Sequence, residues 1–305
     1  MSILVTGGNG LVGSQFKGKE YIKVGSKDYN LIEPISTNNM IIKYKPNSVI
    51  HCAAKVGGLM GNMKHKGEFF YKNIMMNTNV IESCRKNKVD KLIVFLSTCV
   101  FPNDVEYPLT EEKIHLGPPH NSNDAYAYAK RMAEVQVRAY REQYGLKYTC
   151  VIPTNIYGPN DNFDVENGHV IPSLIHKCYL AKINNQPFYV WGSGTPLREF
   201  IYSEDVANLT RMLLDSEYDG NDPIILSTSE EITIKEVVET IVSAFNFSGE
   251  VVWMTDKPDG QYRKPSDNTK LINLFPDYKF KSFKEGIKHT VDWFIKNYET
   301  KEIRL

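Results

Sequence analysis

Within Asn121–Tyr144, NSNDAYAYAKRMAEVQVRAYREQY, Tyr126 stands four residues before Lys130, and no other tyrosine in the chain has a lysine at that spacing. On a helix, residues four apart share a face, so the phenol and the ammonium point into the same space. A neighbouring cation favours phenolate and lowers a tyrosine from its reference pKa of about 10, which would let Tyr126 hand a proton to a carbonyl near neutrality. Asn123 or Asp124 is placed to cap this helix, and Glu134, Arg138 and Glu142 to form its solvated face. Alone, the pair fits an ordinary surface helix better, and the flanking sequence overturns that reading.

Upstream, the apolar run Ser2–Thr6 leads directly into Gly7-Gly8-Asn9-Gly10-Leu11-Val12-Gly13. Glycine at 7, 10 and 13 allows a tight turn, close backbone approach to a pyrophosphate and close helix–strand packing, and a helix N-terminus would add its dipole. After a strand this pattern predicts a Rossmann-type cofactor site. The helix it opens should be short, stopped by Gly18, with Tyr21–Val24 as the second strand. Gly25-Ser26-Lys27-Asp28 follows. An acidic residue at the strand end would hold a ribose 2′-hydroxyl. Ser26 and Lys27 instead suit a 2′-phosphate and favour NADP(H). Asp28 keeps NAD open, and Lys27 also fits a solvated loop charge.

These sites need a frame. Ser48–Cys52 (SVIHC) and Lys91–Leu96 (KLIVFL) read as buried strands, Phe69–Lys86 as a helix between them, and Tyr148–Ile152 as a further strand. The first ends in Ala53-Ala54-Lys55-Val56-Gly57-Gly58, the second in Ser97-Thr98-Cys99, the third in Pro153-Thr154-Asn155. Ligands of open α/β sheets bind beyond the carboxyl ends of strands, so Ser97 and Cys99 lie where chemistry is expected. The alternation predicts an α/β fold, a Rossmann-type doubly wound parallel sheet over residues 1–167. Residues 168–305 should form mainly a smaller C-terminal α/β substrate-binding lobe, with some segments returning to the first lobe and the site between them. Ser203–Leu214, Ile234–Phe245 and Ser282–Tyr298 read as amphipathic helices, and Asn268–Pro276 and the tail as connections.

Composition narrows the function class. Lys+Arg and Asp+Glu both number 36 over 305 residues. A net charge of zero argues against nucleic-acid or membrane-surface partners. Cys52, Cys84, Cys99, Cys150 and Cys178 show no metal-ligand spacing, and most lie in apolar surroundings, as reduced cytosolic thiols do. No metal is expected. The start runs straight into a strand, and no apolar run reaches the roughly 18 residues of a membrane span, so a soluble cytoplasmic protein is expected.

Taken together, AAKVGG (Ala53–Gly58), STCVFP (Ser97–Pro102) and PPHNSNDAYAYAK (Pro118–Lys130) resemble the extended short-chain dehydrogenase/reductase family. PTNIYGPNDNFDVENGHVIP (Pro153–Pro172), WGSGTPLREF (Trp191–Phe200) and KPDGQYRK (Lys257–Lys264) extend the likeness over nearly the whole chain. It is closest to the branch that epimerises and reduces GDP-4-keto-6-deoxy-D-mannose to GDP-L-fucose. The short first helix departs from the longer segment usual there. The resemblance implies that Tyr126 is the acid of a hydride step at C4, that Lys130 tunes it and holds the nicotinamide ribose, and that Ser97 binds the same oxygen. It makes Cys99 and His169 the base and acid of the epimerisations at C3 and C5. From pattern alone, Cys99 reads equally as a small buried hydrophobe and His169 as a loop cap. Cofactor contacts are implied at Gly7, Gly8, Asn9, Gly10, Leu11, Val12, Gly13, Lys27, Asp28, Ala53, Ala54, Leu96, Lys130, Pro153, Asn155, Ile156 and His169.

For the GDP-sugar the family implies Lys177, Trp191, Arg198, Asp259 and Lys264. Read alone, Trp191 fills a core before it stacks on a base, and Arg198 clamps a diphosphate or makes a surface ion pair. Two further functions stay open: the same chemistry on a GDP-4-keto-dideoxysugar, giving GDP-L-colitose, and a non-catalytic dinucleotide sensor. A homodimer is implied, formed by the Tyr126 helix and the Phe69–Lys86 helix.

Overall fold

A computed structural model describes residues 2–300 and 302–305. The first half alternates β1 (Ile3–Thr6), β2 (Tyr21–Val24), α1 (Pro34–Tyr44), β3 (Ser48–His51), α2 (Leu59–Lys64), α3 (Lys66–Lys86), β4 (Lys91–Phe95), α4 (Asp124–Tyr144), β5 (Lys147–Pro153) and β6 (Asn155–Tyr157). Then come α5 (Val170–Ile183), β7 (Phe188–Trp191), β8 (Leu197–Tyr202), α6 (Ser203–Asp215), β9 (Ile224–Leu226), β10 (Glu231–Thr233), α7 (Ile234–Phe245), β11 (Val251–Met254), α8 (Thr269–Leu274) and α9 (Phe283–Thr300).

Six parallel strands form the main sheet in the order β2-β1-β3-β4-β5-β9. Strand residues alternate between its faces, as the period of two demands. Leu4, Val49, Leu92, Val94, Cys150 and Ile152 meet α1, α3 and α4 on one side. Ile3, Val5, Ile50, Ile93, Phe95 and Val151 meet α6 and α8 on the other. Both faces are therefore covered, as an all-parallel sheet requires. A third core lies under α5, α7 and α9, with β8 between β10 and β6, and β11 beside β7. The lobes interleave: β6 joins the second, while α6, β9 and α8 return to the first.

Several local expectations change. No α-helix follows the glycine run; Gly13–Gln15 make one 3-10 turn, so no long helix dipole faces the loop. Asn123 occupies the cap position of α4 without a side-chain bond, and Asp124 Oδ1 takes the adjacent Ala125 N–H instead. Glu142 is exposed, but Glu134 is buried, receiving His115 at 2.7 Å and Arg138 at 3.1 Å. The Asn268–Pro276 connection contains α8, whose Leu271 plugs the core under the sheet. No helix of the described residues is long and apolar enough to cross a membrane.

Candidate active site

Strand order reverses between β1 and β3, so the carboxyl ends there open a crevice. The glycine loop lines it. Gly7 has a φ of +69°, and a Cβ there would lie 2.9 Å from the Ala53 backbone, so β1 and β3 approach only through glycine. A Cβ on Gly13 would strike the Gly7 carbonyl, which closes the turn. At Gly10 the nearest atom to a Cβ is that same carbonyl at 3.3 Å, leaving the outer side open to a ligand. Leu11 and Val12 pack inward beneath the loop, and Gly8 lies against β2 with its N–H on Val24 O at 2.9 Å. A loop of glycines that leaves backbone facing the crevice fits the pyrophosphate of a dinucleotide.

At the end of β2, Asp28 Oδ2 accepts the Gly25 N–H at 2.7 Å, so this carboxylate closes the turn. Lys27 is exposed beside it, and Asn9 lies against Gly25. Beyond β3, Asn73 of α3 grips Lys55 twice at 3.0 Å, through its N–H and its carbonyl. Buried His51 joins Thr6 at 2.7 Å to Asn77 at 3.1 Å, and Asn77 donates to Ala129 O on α4. Ala53 and Ala54 are thereby fixed at the crevice wall. Burial, then the Lys130 charge, holds His51 down at about 3.

α4 delivers the central pair. Lys130 is buried and donates to Phe95 O, the last residue of β4, at 2.7 Å; its Nζ lies 5.9 Å from the Tyr126 ring centre. Burial lowers Lys130 to about 8 against an upward pull from Cys99 and two other thiols. Burial likewise pushes Tyr126 well above its ordinary value, with the Cys99 thiolate adding in the same direction. The expected lowering of Tyr126 by Lys130 is thus reversed: desolvation outweighs a cation at this distance. A phenol that keeps its proton at neutrality is the form a proton donor needs.

After Leu96, buried at the end of β4, the chain turns through Thr98–Val100, and Ser97 caps that turn by accepting the Cys99 N–H at 3.4 Å. Cys99 is half-buried and lies outside all three buried cores, unlike Cys84, Cys150 and Cys178. Its thiol is raised by burial and pulled down by Ser97, Lys264 and Lys130, in that order. Burial outweighs all three.

His169 arrives from the other lobe and occupies the cap position of α5, its carbonyl accepting the Ser173 N–H at 3.0 Å and its side chain making no capping bond. Its loop touches the β3 loop: Gly58 N donates to Asn167 O at 2.8 Å, and a Gly58 Cβ would sit 3.0 Å from Gly168 O. His169 is exposed, and its charge opposes the burial that raises Asp161 to about 6. No bond joins its ring to Cys99 or Tyr126 among the described residues. Asn155 uses its amide on Glu199 O at 2.8 Å; Pro153 ends β5 and Ile156 pairs with Ile201 in β8.

On the second lobe, Trp191 is 60 % exposed, which overturns the core reading, and Lys177 lies 5.1 Å over its ring. Arg198 forms no ion pair among the described residues; its guanidinium donates to Leu197 O at 2.7 Å. Asp259 takes the Ser193 N–H at 2.6 Å and the Ser193 hydroxyl at 2.8 Å, tying its loop to Gly192. Lys264 crosses between the lobes to Thr98 O at 2.8 Å. Sequence reasoning missed Arg131, whose Nε donates to Val100 O at 2.5 Å, and Asp161, whose Oδ2 is buried with no partner among the described residues. A basic residue on the inner face of α4 and an acid inside GPNDNF were the available signals.

A glycine cradle at the switch point, with a tyrosine, lysine, serine and thiol gathered one strand away, defines a dinucleotide-dependent enzyme of carbonyl chemistry. The chain belongs to the NAD dependent epimerase/dehydratase family, which matches residues 3–227. It is 49% identical to the GDP-L-fucose synthase of Dictyostelium discoideum, over 98% of this chain and 97% of that one. With the probable GDP-L-fucose synthase of Drosophila melanogaster it shares 42%, over 97% and 98%. The crystal structure of a GDP-L-fucose synthetase from Naegleria fowleri bound to NADP superposes with a TM-score of 0.92 at 48% identity, covering 100% of this chain and 95% of that one.

Proposed function

We propose that this protein converts GDP-4-keto-6-deoxy-D-mannose to GDP-L-fucose by epimerising C3 and C5 and reducing C4 with NADPH. The observation that carries the reading is the meeting of Cys99, Ser97, Tyr126 and Lys130 at the carboxyl end of β4, in a chain 49% identical to a synthase of that name. The 4-keto group acidifies the hydrogens on both neighbouring carbons, so one site serves both inversions. Cys99 as thiolate takes the proton from carbon while the electron pair moves onto the C4 oxygen, and His169 returns a proton on the opposite face. Ser97 and Tyr126 hydrogen-bond that oxygen throughout.

Bound NADPH supplies the hydride for C4. Gly7–Gly13 and Lys27 hold its phosphates, Ala53, Ala54 and Leu96 line its path, and Lys130 fixes the ribose. Tyr126 gives its proton to the C4 oxygen. Lys177, Trp191, Arg198, Asp259 and Lys264 hold the GDP-sugar across the lobe boundary, with Trp191 stacking on the base. The lobes divide near residue 167. We further propose a cytoplasmic homodimer, in which the exposed Phe70, Tyr71, Tyr128 and Met132 of α3 and α4 meet a second copy.

The test is incubation with GDP-4-keto-6-deoxy-D-mannose and NADPH, following absorbance at the nicotinamide band and product by NMR. GDP-L-fucose is expected. Preference for the 3,6-dideoxy ketosugar would move the assignment to GDP-L-colitose, and no turnover of either would leave a dinucleotide sensor.

A further inference from the structure

We propose that Lys264 is a positioning residue for Cys99: donated by the second lobe, it holds the turn that carries the thiol and stands as the cation beside the thiolate. The base is then competent only while the strap Lys264–Asp267 is seated on the first lobe. This deepens the epimerase/reductase reading and rests on it.

Three observations on different parts of the chain converge. Lys264 Nζ donates to Thr98 O at 2.8 Å, and Arg131 Nε to Val100 O at 2.5 Å, so two cationic side chains hold the carbonyls on either side of Cys99. The strap is fixed to the first lobe by backbone: Leu109 N donates to Pro265 O at 2.9 Å and Asp267 N to Leu109 O at 2.8 Å. It is also fixed to β8, since Ser266 donates its N–H to Glu199 Oε1 at 2.8 Å and its hydroxyl to Glu199 Oε2 at 2.5 Å. Glu199 is only 3% exposed and takes a further hydroxyl from Ser227 at 2.9 Å. This explains a buried carboxylate that the chemistry does not use: it anchors the chain two residues from Lys264. Lys264 is therefore built in rather than a free surface arm.

The groups around the thiol are Ser97, Lys264, Lys130, Tyr126 and Arg131. Ser97, Tyr126 and Lys130 are committed to the ketone and cofactor, and Arg131 points its Nε at backbone. Lys264 is the cation whose loss withdraws support from a thiolate that burial disfavours, and because it is also assigned to the GDP-sugar, its effect is read without the sugar. Because the same ammonium bridges the two lobes, base activation and lobe contact are one event.

The experiment is the pH profile of Cys99 alkylation by iodoacetamide, without any nucleotide sugar, read by peptide mass spectrometry so that Cys52 is scored separately. Lys264→Met should move the Cys99 midpoint up by about one pH unit and slow labelling near neutrality about tenfold. Lys264→Arg should restore most of it. An unchanged midpoint in Lys264→Met, or Lys264→Arg as slow as Lys264→Met, overturns the proposal. If Lys264→Met does not fold, Ser266→Ala, which frees the strap from Glu199, should shift the midpoint the same way by less, and no shift overturns it. Failure of the wild-type enzyme to exchange the sugar protons would instead count against the reading on which the proposal rests.

Discussion

The reduction pair and the epimerisation pair are positioned by different means. Tyr126 and Lys130 sit one turn apart on a 21-residue helix, and Lys130 is pinned to the end of β4. Cys99 rides on a three-residue turn held from outside by Lys264 and Arg131, and His169 ends a loop held by the Gly58–Asn167 bond. A helix sets its geometry by its own backbone, whereas a turn borrows geometry from distant chain. The first pair should therefore tolerate change in the second lobe, and the second should not.

Tyr126→Phe is the largest expected effect. It removes a proton donor and little volume, so NADPH oxidation should fall by about 10²–10⁴-fold with cofactor affinity nearly intact by fluorescence titration. Near wild-type turnover would end the assignment of Tyr126. Next comes Gly58→Val, which crowds the Gly168 carbonyl and displaces the His169 loop. Proton exchange at the sugar should drop by about ten- to a hundredfold, and reduction much less. Equal losses would mean that the two halves are not separately positioned. Lys27→Ala should weaken NADPH about tenfold and NADH hardly at all, since only the former carries the 2′-phosphate and Asp28 is occupied by Gly25. Parallel losses would make Lys27 a bystander.

The smallest effect concerns the shared floor of both halves. His51 is buried neutral with a folded pKa of about 3. Between about pH 6.5 and 3 the unfolded chain binds a proton that the native protein does not, so stability falls with pH through that window. At pH 5 the loss is about 2 kcal/mol, and His51→Gln should narrow the wild-type melting difference between pH 7 and 5 by a few degrees. An unchanged difference would place the acid sensitivity elsewhere.

What was legible follows from the same contrast. Buried parallel strands are continuous apolar runs, so β1, β3 and β4 could be bounded to within a residue, and the helical spacing of Tyr126 and Lys130 is a local signal. β7, β8, β10 and β11 escaped notice because none is a continuous buried apolar run: β7 alternates buried and exposed residues, β8 carries Arg198 and Glu199, β10 has three residues and β11 is half-buried throughout. Glu134 reads as a surface charge until His115 and Arg138 cover it. Charge and spacing suggested that Tyr126 would be acidified; burial, which no local pattern encodes, reverses that direction and holds the Cys99 thiol up as well.

The division of labour is tested most directly by running Cys99→Ser and Tyr126→Phe side by side with GDP-4-keto-6-deoxy-D-mannose and NADPH in D2O, reading deuterium at C3 and C5 by NMR and mass spectrometry. A serine hydroxyl keeps the shape but is a far poorer base than a thiol with a reference pKa of about 8.5. In Cys99→Ser, deuterium incorporation should collapse while slow NADPH oxidation persists, giving a 6-deoxyhexose other than fucose. In Tyr126→Phe, exchange should continue with no net NADPH oxidation. If Cys99→Ser exchanges both protons at the wild-type rate, the base lies elsewhere and the account of this site is wrong.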